Sequence, residues 1–285
     1  MHTRHSSGRR CRMSPHTLKC LAVSVSFLLL SLGVHVHGNQ QVTRITLSVE
    51  DSRPIAKAID LLATRHAWVI TYEDPRFMHD SDIDDVTESV RRDLDKYRPG
   101  EAPKVLVPRG GALEIAYDVT ADTNEPTDRR VVLNELLNVQ NARDKGGKFR
   151  LEMNGDYAHV IPIAVKDVRG EWVKQESMLD AMISISTEER TGLEKLKGIC
   201  KAISEATKSR VTIGNFPTNL FLQYRDREGA ERERARDVLA KQLERVSSGG
   251  RNLAWQANLS WRLLYDPGKK AYALNIYDVP LKQPR

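Results

Sequence analysis

The sequence has few of the residues on which chemistry is usually built. Three cysteines stand among 285 residues, at Cys11, Cys20 and Cys200. The first two lie in the N-terminal leader described below, so removal of that leader leaves Cys200 alone and no internal disulfide can form. Cys200 falls on the apolar stripe of a predicted helix, the position of a buried core thiol rather than a nucleophile. Histidine is as sparse. Beyond residue 38 only His66, His79 and His159 occur, and none belongs to a His-Glu-x-x-His pair. His66 closes a predicted helix, where a cation suits the dipole, and His159 is expected on the polar face of a strand. There is no Gly-x-Ser-x-Gly elbow, no Walker loop and no Gly-x-Gly-x-x-Gly after a strand. Asp80-Ser81-Asp82-Ile83-Asp84-Asp85 opens like a calcium loop. However, the sixth position from Asp80 is Asp85 where glycine is needed, and the twelfth is Arg91 where a bidentate glutamate is needed. It reads instead as an acidic helix start, with Ser81 and Asp84 as a capping box. The sequence therefore assigns no catalytic, cofactor-binding or metal-ligating residue, and no cofactor.

Surplus charge is also missing once its position is considered. The formal charge is +6, but residues 1–38 hold five of the 44 cations and none of the 38 anions, which leaves the rest of the chain at +1. Strong nonspecific phosphate binding needs a net basic surface, so nucleic acid is not an expected partner. The run from Arg225 to Arg236 mixes signs and reads as a solvated helix face with i,i+4 pairs. Residues 1–38 read as a secretory signal: basic residues up to Lys19, a mostly apolar run from Leu21 to Val36, and compact residues at Val36 and Gly38 ahead of a cleavage point after Gly38. The run is shorter than the ~20 residues of a spanning helix, so cleavage leaves no stable membrane span. Met13 would open a more compact signal than Met1. The expected location is periplasmic or secreted.

What is present is a repeated order of elements. Unit one, at 39–165, opens with the alternating strand Ile45-Thr46-Leu47-Ser48-Val49. A helix follows from Pro54 with Ile55, Ala58, Ile59 and Leu62 at helical spacing, then the strand Trp68 to Tyr72, stopped at Asp74-Pro75. Alternating Leu113, Ile115, Tyr117 and Val119, a helix with Val132, Leu136 and Val139, and a hairpin turning at Asn154-Gly155 complete it. Unit two, at 182–285, runs in step. Ile183 to Ser186 is its first strand, and Leu193, Leu196, Cys200, Ile203 and Thr207 its first helix. Strands at 210–213 and around Leu220, Leu222 and Tyr224 come next, then a helix with Ala235, Val238, Leu239, Gln242 and Val246, and a hairpin turning at Asp266-Pro267-Gly268. The fold class predicted is α+β: two small β-α-β-β-α-β-β modules, helices packed on mixed sheets. Residues 166–181 read as a linker, with Trp172 packed between units. Residues 78–111 read as an insertion in unit one, where Ile83, Val86, Val90 and Leu94 have helical spacing. Trp68 and Trp261 are expected in the core, and Glu188-Glu189 as complements to a helix N-terminus.

Unit one resembles the short N-terminal (STN-like) domain of secretins and TonB-dependent receptors, over residues about 44–165. The likeness rests on Arg53-Pro54-Ile55-Ala56-Lys57-Ala58-Ile59, on Leu62-Ala63, and on Ile70-Thr71-Tyr72-Glu73-Asp74-Pro75. Val132 to Leu137 and Phe149 to Val165 match the domain's second half. Unit two, about 182–280, is a weaker, divergent copy. The insertion at 78–111 is foreign to the compact domain, and no barrel or secretin ring follows. The resemblance implies an exported, non-enzymatic protein-interaction module of the bacterial cell envelope, with an unidentified envelope protein as partner and an exposed strand edge as the means of contact. The alternative is a periplasmic small-ligand binder or enzyme with a site between the two modules. Asp74 is expected to accept bonds from nearby backbone amides, with Pro75 ending the strand.

Overall fold

Alternating apolar residues build the first half as expected. Strand β1 (Val42–Asp51) pairs antiparallel with β5 (Gly111–Thr120) over ten residues, and Leu47, Val49, Leu113, Ile115, Tyr117 and Val119 all turn to the buried side. A computed structural model describes residues 42–126, 128–249 and 257–281; the expected leader and its cleavage point after Gly38 lie outside them. Helix α1 (Pro54–His66) begins at Pro54, whose missing N–H would have no helical partner there. It buries Ile55, Ala58, Ile59 and Leu62. Strand β2 (Val69–Glu73) follows.

The insertion differs from its helical reading. Residues Ile83–Asp85 form strand β3, which pairs with β4 (Leu106–Pro108), and between them lie the single turn α2 (Thr87–Val90) and a 3-10 turn at Leu94–Lys96. Pairing with β4 supplies the backbone partners of Ile83–Asp85 and overrides the helical spacing, and the Asp85 carboxylate takes both the backbone N–H and the hydroxyl of Thr87 where the short turn begins. Ser81 bonds His79 rather than forming the expected capping box. Strand β6 (Glu125–Pro126), helix α3 (Arg129–Ala142) and the hairpin of β7 (Lys148–Asn154) and β8 (Tyr157–Lys166) finish the half.

The segment 166–181 is no free linker. It supplies β9 (Trp172–Lys174), which pairs with the end of β8, and a 3-10 turn at Met178–Asp180. Trp172 does not pack between the halves either. Its indole donates to Asp144 and lies under the ammonium groups of Lys148 and Lys166, all of the first half.

The second half comprises β10 (Met182–Ile185), β11 (Arg190–Thr191), α4 (Gly192–Thr207), β12 (Arg210–Ile213), α5 (Thr218–Gln223), β13 (Arg225–Asp226), β14 (Ala230–Arg234), α6 (Ala235–Gly249), β15 (Ala257–Asp266) and β16 (Ala271–Pro280). Thr191 and Glu194 form a reciprocal capping box at α4. Glu188 and Glu189 instead pair with Arg190 and Arg227. Two readings need correction. Leu220 to Tyr224 is not a strand: α5 buries the adjacent residues Leu220 and Phe221 while Leu222 stays exposed, a spacing that suits a helix. The strand is β14, inside the mixed-charge run read as a helix face. Pairing with β10 supplies its backbone partners and overrides the helical charge pattern.

The fold is α+β with mixed sheets, and both halves follow one wiring. β1 pairs β5 as β10 pairs β14, β2 lies parallel to β8 as β12 does to β16, and β7 pairs β8 as β15 pairs β16. The modules at 39–165 and 182–285 are nevertheless not separate bodies. Strand β15 lies parallel to β2, which joins both halves in one seven-stranded sheet of order β12-β16-β15-β2-β8-β7, with β9 beside β8. Residues 40–285 accordingly form a single unit. Strands β2, β8 and β15 run one way and β7, β12 and β16 the other, so equivalent strands of the two halves are antiparallel and their helices fall on opposite faces. Ile70, Tyr72, Ala158 and Val160 face a core shared with α1, α3 and the β1–β5 ribbon. Val69, Tyr157, Trp261 and Leu263 face a core shared with α4 and α6. The physical reason for the fusion lies in β2 itself. All five of its residues are buried, so it needs cover on both faces, as an all-apolar central strand does.

Candidate functional site: the seam and the strand edges

The seam between the halves is built from Tyr72-Glu73-Asp74-Pro75. Asp74 does not bond nearby amides as expected. It accepts the N–H of Tyr265 at 2.8 Å, the hydroxyl of Tyr72 at 2.7 Å and Nε of Arg53 at 2.7 Å, while its own N–H donates to Leu263. Arg53 also donates to the carbonyl of Tyr265. From the other side Arg262, almost wholly buried, reaches Asp60 at 2.8 Å and the carbonyl of Ile70 at 2.6 Å. Ser260 donates to the same carbonyl. These charged bonds fasten α1 and β2 to β15.

A second polar layer lies between the sheet and the α4/α6 side. Glu73 is fully buried, takes the hydroxyl of Ser177 and the N–H of Met178 at 2.6 Å, and stands 3.6 Å from Arg236. Arg236 is itself 1% exposed and also bonds Ser177 and Asp180. Burial pushes the Glu73 carboxyl up to about 7, although Arg236 pulls it down. His159 is also buried, not on a polar face as expected. It shares a 2.7 Å bond with Thr71, stacks on Tyr157 and lies tilted against Trp261, the three rings in mutual contact. Burial, with Arg236 adding to it, pulls its imidazole down to about 4 and keeps it neutral. Cys200 is a buried core thiol, pushed up to about 12 by burial.

An open cleft of about 570 Å³ runs along this layer, lined by Arg76, Ser177, Asp180, Met182, Thr207 and Tyr272 among others. Among the described residues, the buried Tyr272 hydroxyl has no hydrogen-bond partner. Glu73 is sealed behind Ser177 rather than presented to the cleft. Elsewhere, His66 lies 3.4 Å from Glu125 and bonds the hydroxyl of Tyr117. His79 caps the 3-10 turn at Asp80. Among the described residues, no three His, Cys, Asp or Glu side chains are placed to hold a metal ion. No helix of the described residues is long and apolar enough to cross a membrane. Trp261 is in the core and Trp68 is half-buried against His66.

Sequence reasoning missed Arg53, Glu73, Arg236 and Arg262 as partners. The signal for Glu73 was an acid closing the otherwise apolar strand Val69-Ile70-Thr71-Tyr72; the arginines, scattered among surface cations, carried no signal of their own.

The strand edges differ from one another. At β7, Asn141 of α3 accepts the N–H of Phe149 and donates to its carbonyl, both at 2.8 Å. At β12, Ser204 of α4 accepts the N–H of Val211 at 2.9 Å. Such side-chain caps blunt an edge. Strand β1 has none. Among the described residues, no bond from outside β5 reaches the backbone of Val42–Glu50, and Thr43, Arg44, Thr46, Ser48 and Glu50 are exposed.

No family model, no curated protein and no solved structure matches this chain.

Proposed function

We propose that this chain is a non-enzymatic protein-interaction module of the bacterial cell envelope, exported by its leader and working by strand addition at β1. The observation that carries the reading is the contrast among edges: β7 and β12 are engaged by side chains of the helices beside them, whereas β1 is uncapped from Val42 to Glu50 among the described residues. Main-chain bonds to an added strand give affinity and alternate side chains give specificity. The resemblance of residues 44–165 to the STN-like domain supports an envelope location and a contact role. The test places a photoreactive phenylalanine analogue at Ser48 on β1 and, separately, at exposed Leu222 on α5, in cells producing the full chain. Cross-linked products from Ser48 and not from Leu222 are expected; products from Leu222 alone would overturn the reading.

A second reading, a small-ligand site in the cleft of about 570 Å³, is favoured by the buried, unpartnered Tyr272 hydroxyl on its wall. It predicts that a library of small carboxylates and amines contains compounds that raise the melting temperature of the chain. Tyr272→Phe and Arg76→Ala should abolish that rise.

A further inference from the structure

The order of side chains along β1 identifies what its edge fits. Read outward from Leu47, the strand is chemically symmetric: Thr46 against Ser48, Ile45 against Val49, Arg44 against Glu50, Thr43 against Asp51. In an antiparallel pair, residues directly opposite share a face and interact across the strands. We infer that β1 pairs antiparallel with β1 of a second copy of this chain, about a two-fold axis through Leu47. The inference rests on the reading of β1 as the working edge and names its occupant.

In that register every pair is complementary. On the outer face Arg44 meets the partner's Glu50 at both ends of the ladder, and the hydroxyls of Thr46 and the partner's Ser48 meet between them. On the inner face Leu47 meets its own mate, flanked by Ile45 opposite the partner's Val49. The single chain leaves the matching groups ready. Arg44 pairs with Asp118 of β5 at 3.5 Å, and both side chains stay more than half exposed. Glu50 sits opposite Ala112 and has no ion pair with any described residue. Pairing about Leu47 would give Glu50 its cation and extend Asp118–Arg44 into a three-member charge ladder. Ile45, only half-buried beside the fully buried Leu47 and Val49, would gain cover.

Other registers fail. A shift by one residue in the pairing sets outer-face residues against inner-face ones. Pairing about Thr46 sets Glu50 against the partner's Val42, and pairing about Ser48 sets it against the partner's Thr46, so neither supplies a cation. A two-fold axis also makes the contact isologous and closed, which ends the assembly at two copies.

The test is sedimentation velocity over a range of concentrations, on protein purified after production of the full chain. The natural sequence should show a reversible dimer. Arg44→Glu and Glu50→Arg each replace two attractive pairs by two repulsive ones and should weaken the dimer about tenfold or more. The double variant Arg44→Glu/Glu50→Arg restores opposite charges and should recover it. Arg44 and Glu50 are both exposed in the single chain, so circular dichroism should be unchanged in each variant. A chain that stays monomeric at every concentration, or a dimer indifferent to both single reversals, would overturn the inference. If that monomeric chain still cross-links from Ser48 to a different protein, β1 remains the working edge and only its occupant was misnamed. If Ser48 cross-links to nothing, both readings fall.

Discussion

Glu73 and His159 sit in one buried layer yet respond to pH in opposite senses. The folded state holds a proton on Glu73 up to about pH 7, while an unfolded glutamate loses it near its ordinary value of 4.5. Between those values the folded chain binds the extra proton, so this residue's contribution to stability falls as pH rises. For His159 the unfolded imidazole holds a proton below its ordinary 6.5, which the folded one refuses down to about 4. Its contribution therefore rises with pH across that window. Each amounts to about 3 kcal/mol at full effect, and between pH 4.5 and 6.5 the two slopes cancel. Chemical denaturation of Glu73→Gln should show stability climbing from pH 4 to 6.5, and of His159→Phe stability falling from pH 4.5 to 7. Two flat profiles would show that neither group is held as described. Arg236 belongs to the same layer. Arg236→Met leaves the Glu73 charge without its buried partner, a loss of about 3–5 kcal/mol. It should cost less at pH 5 than at pH 8, because a protonated Glu73 needs no cation.

Among elements, the capped edges make their own prediction. Asn141 serves two backbone groups of Phe149, so Asn141→Leu should lower stability by about 1–3 kcal/mol in a denaturant titration. It should also raise the tendency of the chain to aggregate, since an unblunted β7 edge is exposed. Elements also differ in how plainly the sequence announced them. The strands β1, β2 and β5, the helices α1, α3, α4 and α6 and both closing hairpins were legible, because each has a local period of two or 3.6 and a turn signal beside it. α5 and β14 exchanged identities because five or six residues are too few for period to compete with tertiary pairing. The insertion failed for a similar reason: four apolar residues at helical spacing were outweighed by the pairing of β3 with β4. The seam was invisible, since β15 meets β2 across some 190 residues and no local pattern encodes a partner so distant. The pairing symmetry of β1 was present in the sequence, but it has meaning only once that edge is known to be free.

For the molecule as a whole, one sheet implies one transition. Two separately closed modules would unfold in two steps. The shared β2, the Asp74–Tyr265 and Arg262–Asp60 bonds and the two cores on opposite faces make each half depend on the other. Denaturant unfolding followed by tryptophan fluorescence and by far-ultraviolet circular dichroism should give coincident curves. Two separated transitions would show that the halves are independent after all. For the same reason a fragment ending at Lys166 should lack cooperative unfolding, because Val69, Thr71, Glu73, Tyr157 and His159 would have no cover.

That dependence imposes an order on birth as well as on stability. A ribosome makes the chain from its N-terminus, so β2 is complete long before β15 has been translated. Throughout that interval one side of the nascent sheet carries a bare band of valine, tyrosine and histidine with an uncompensated glutamate at its end. Such a surface attracts chaperones and misassembly alike. A chain wired this way gains by remaining loose until its last hairpin is available, which is also the condition in which a polypeptide can be threaded through a narrow pore.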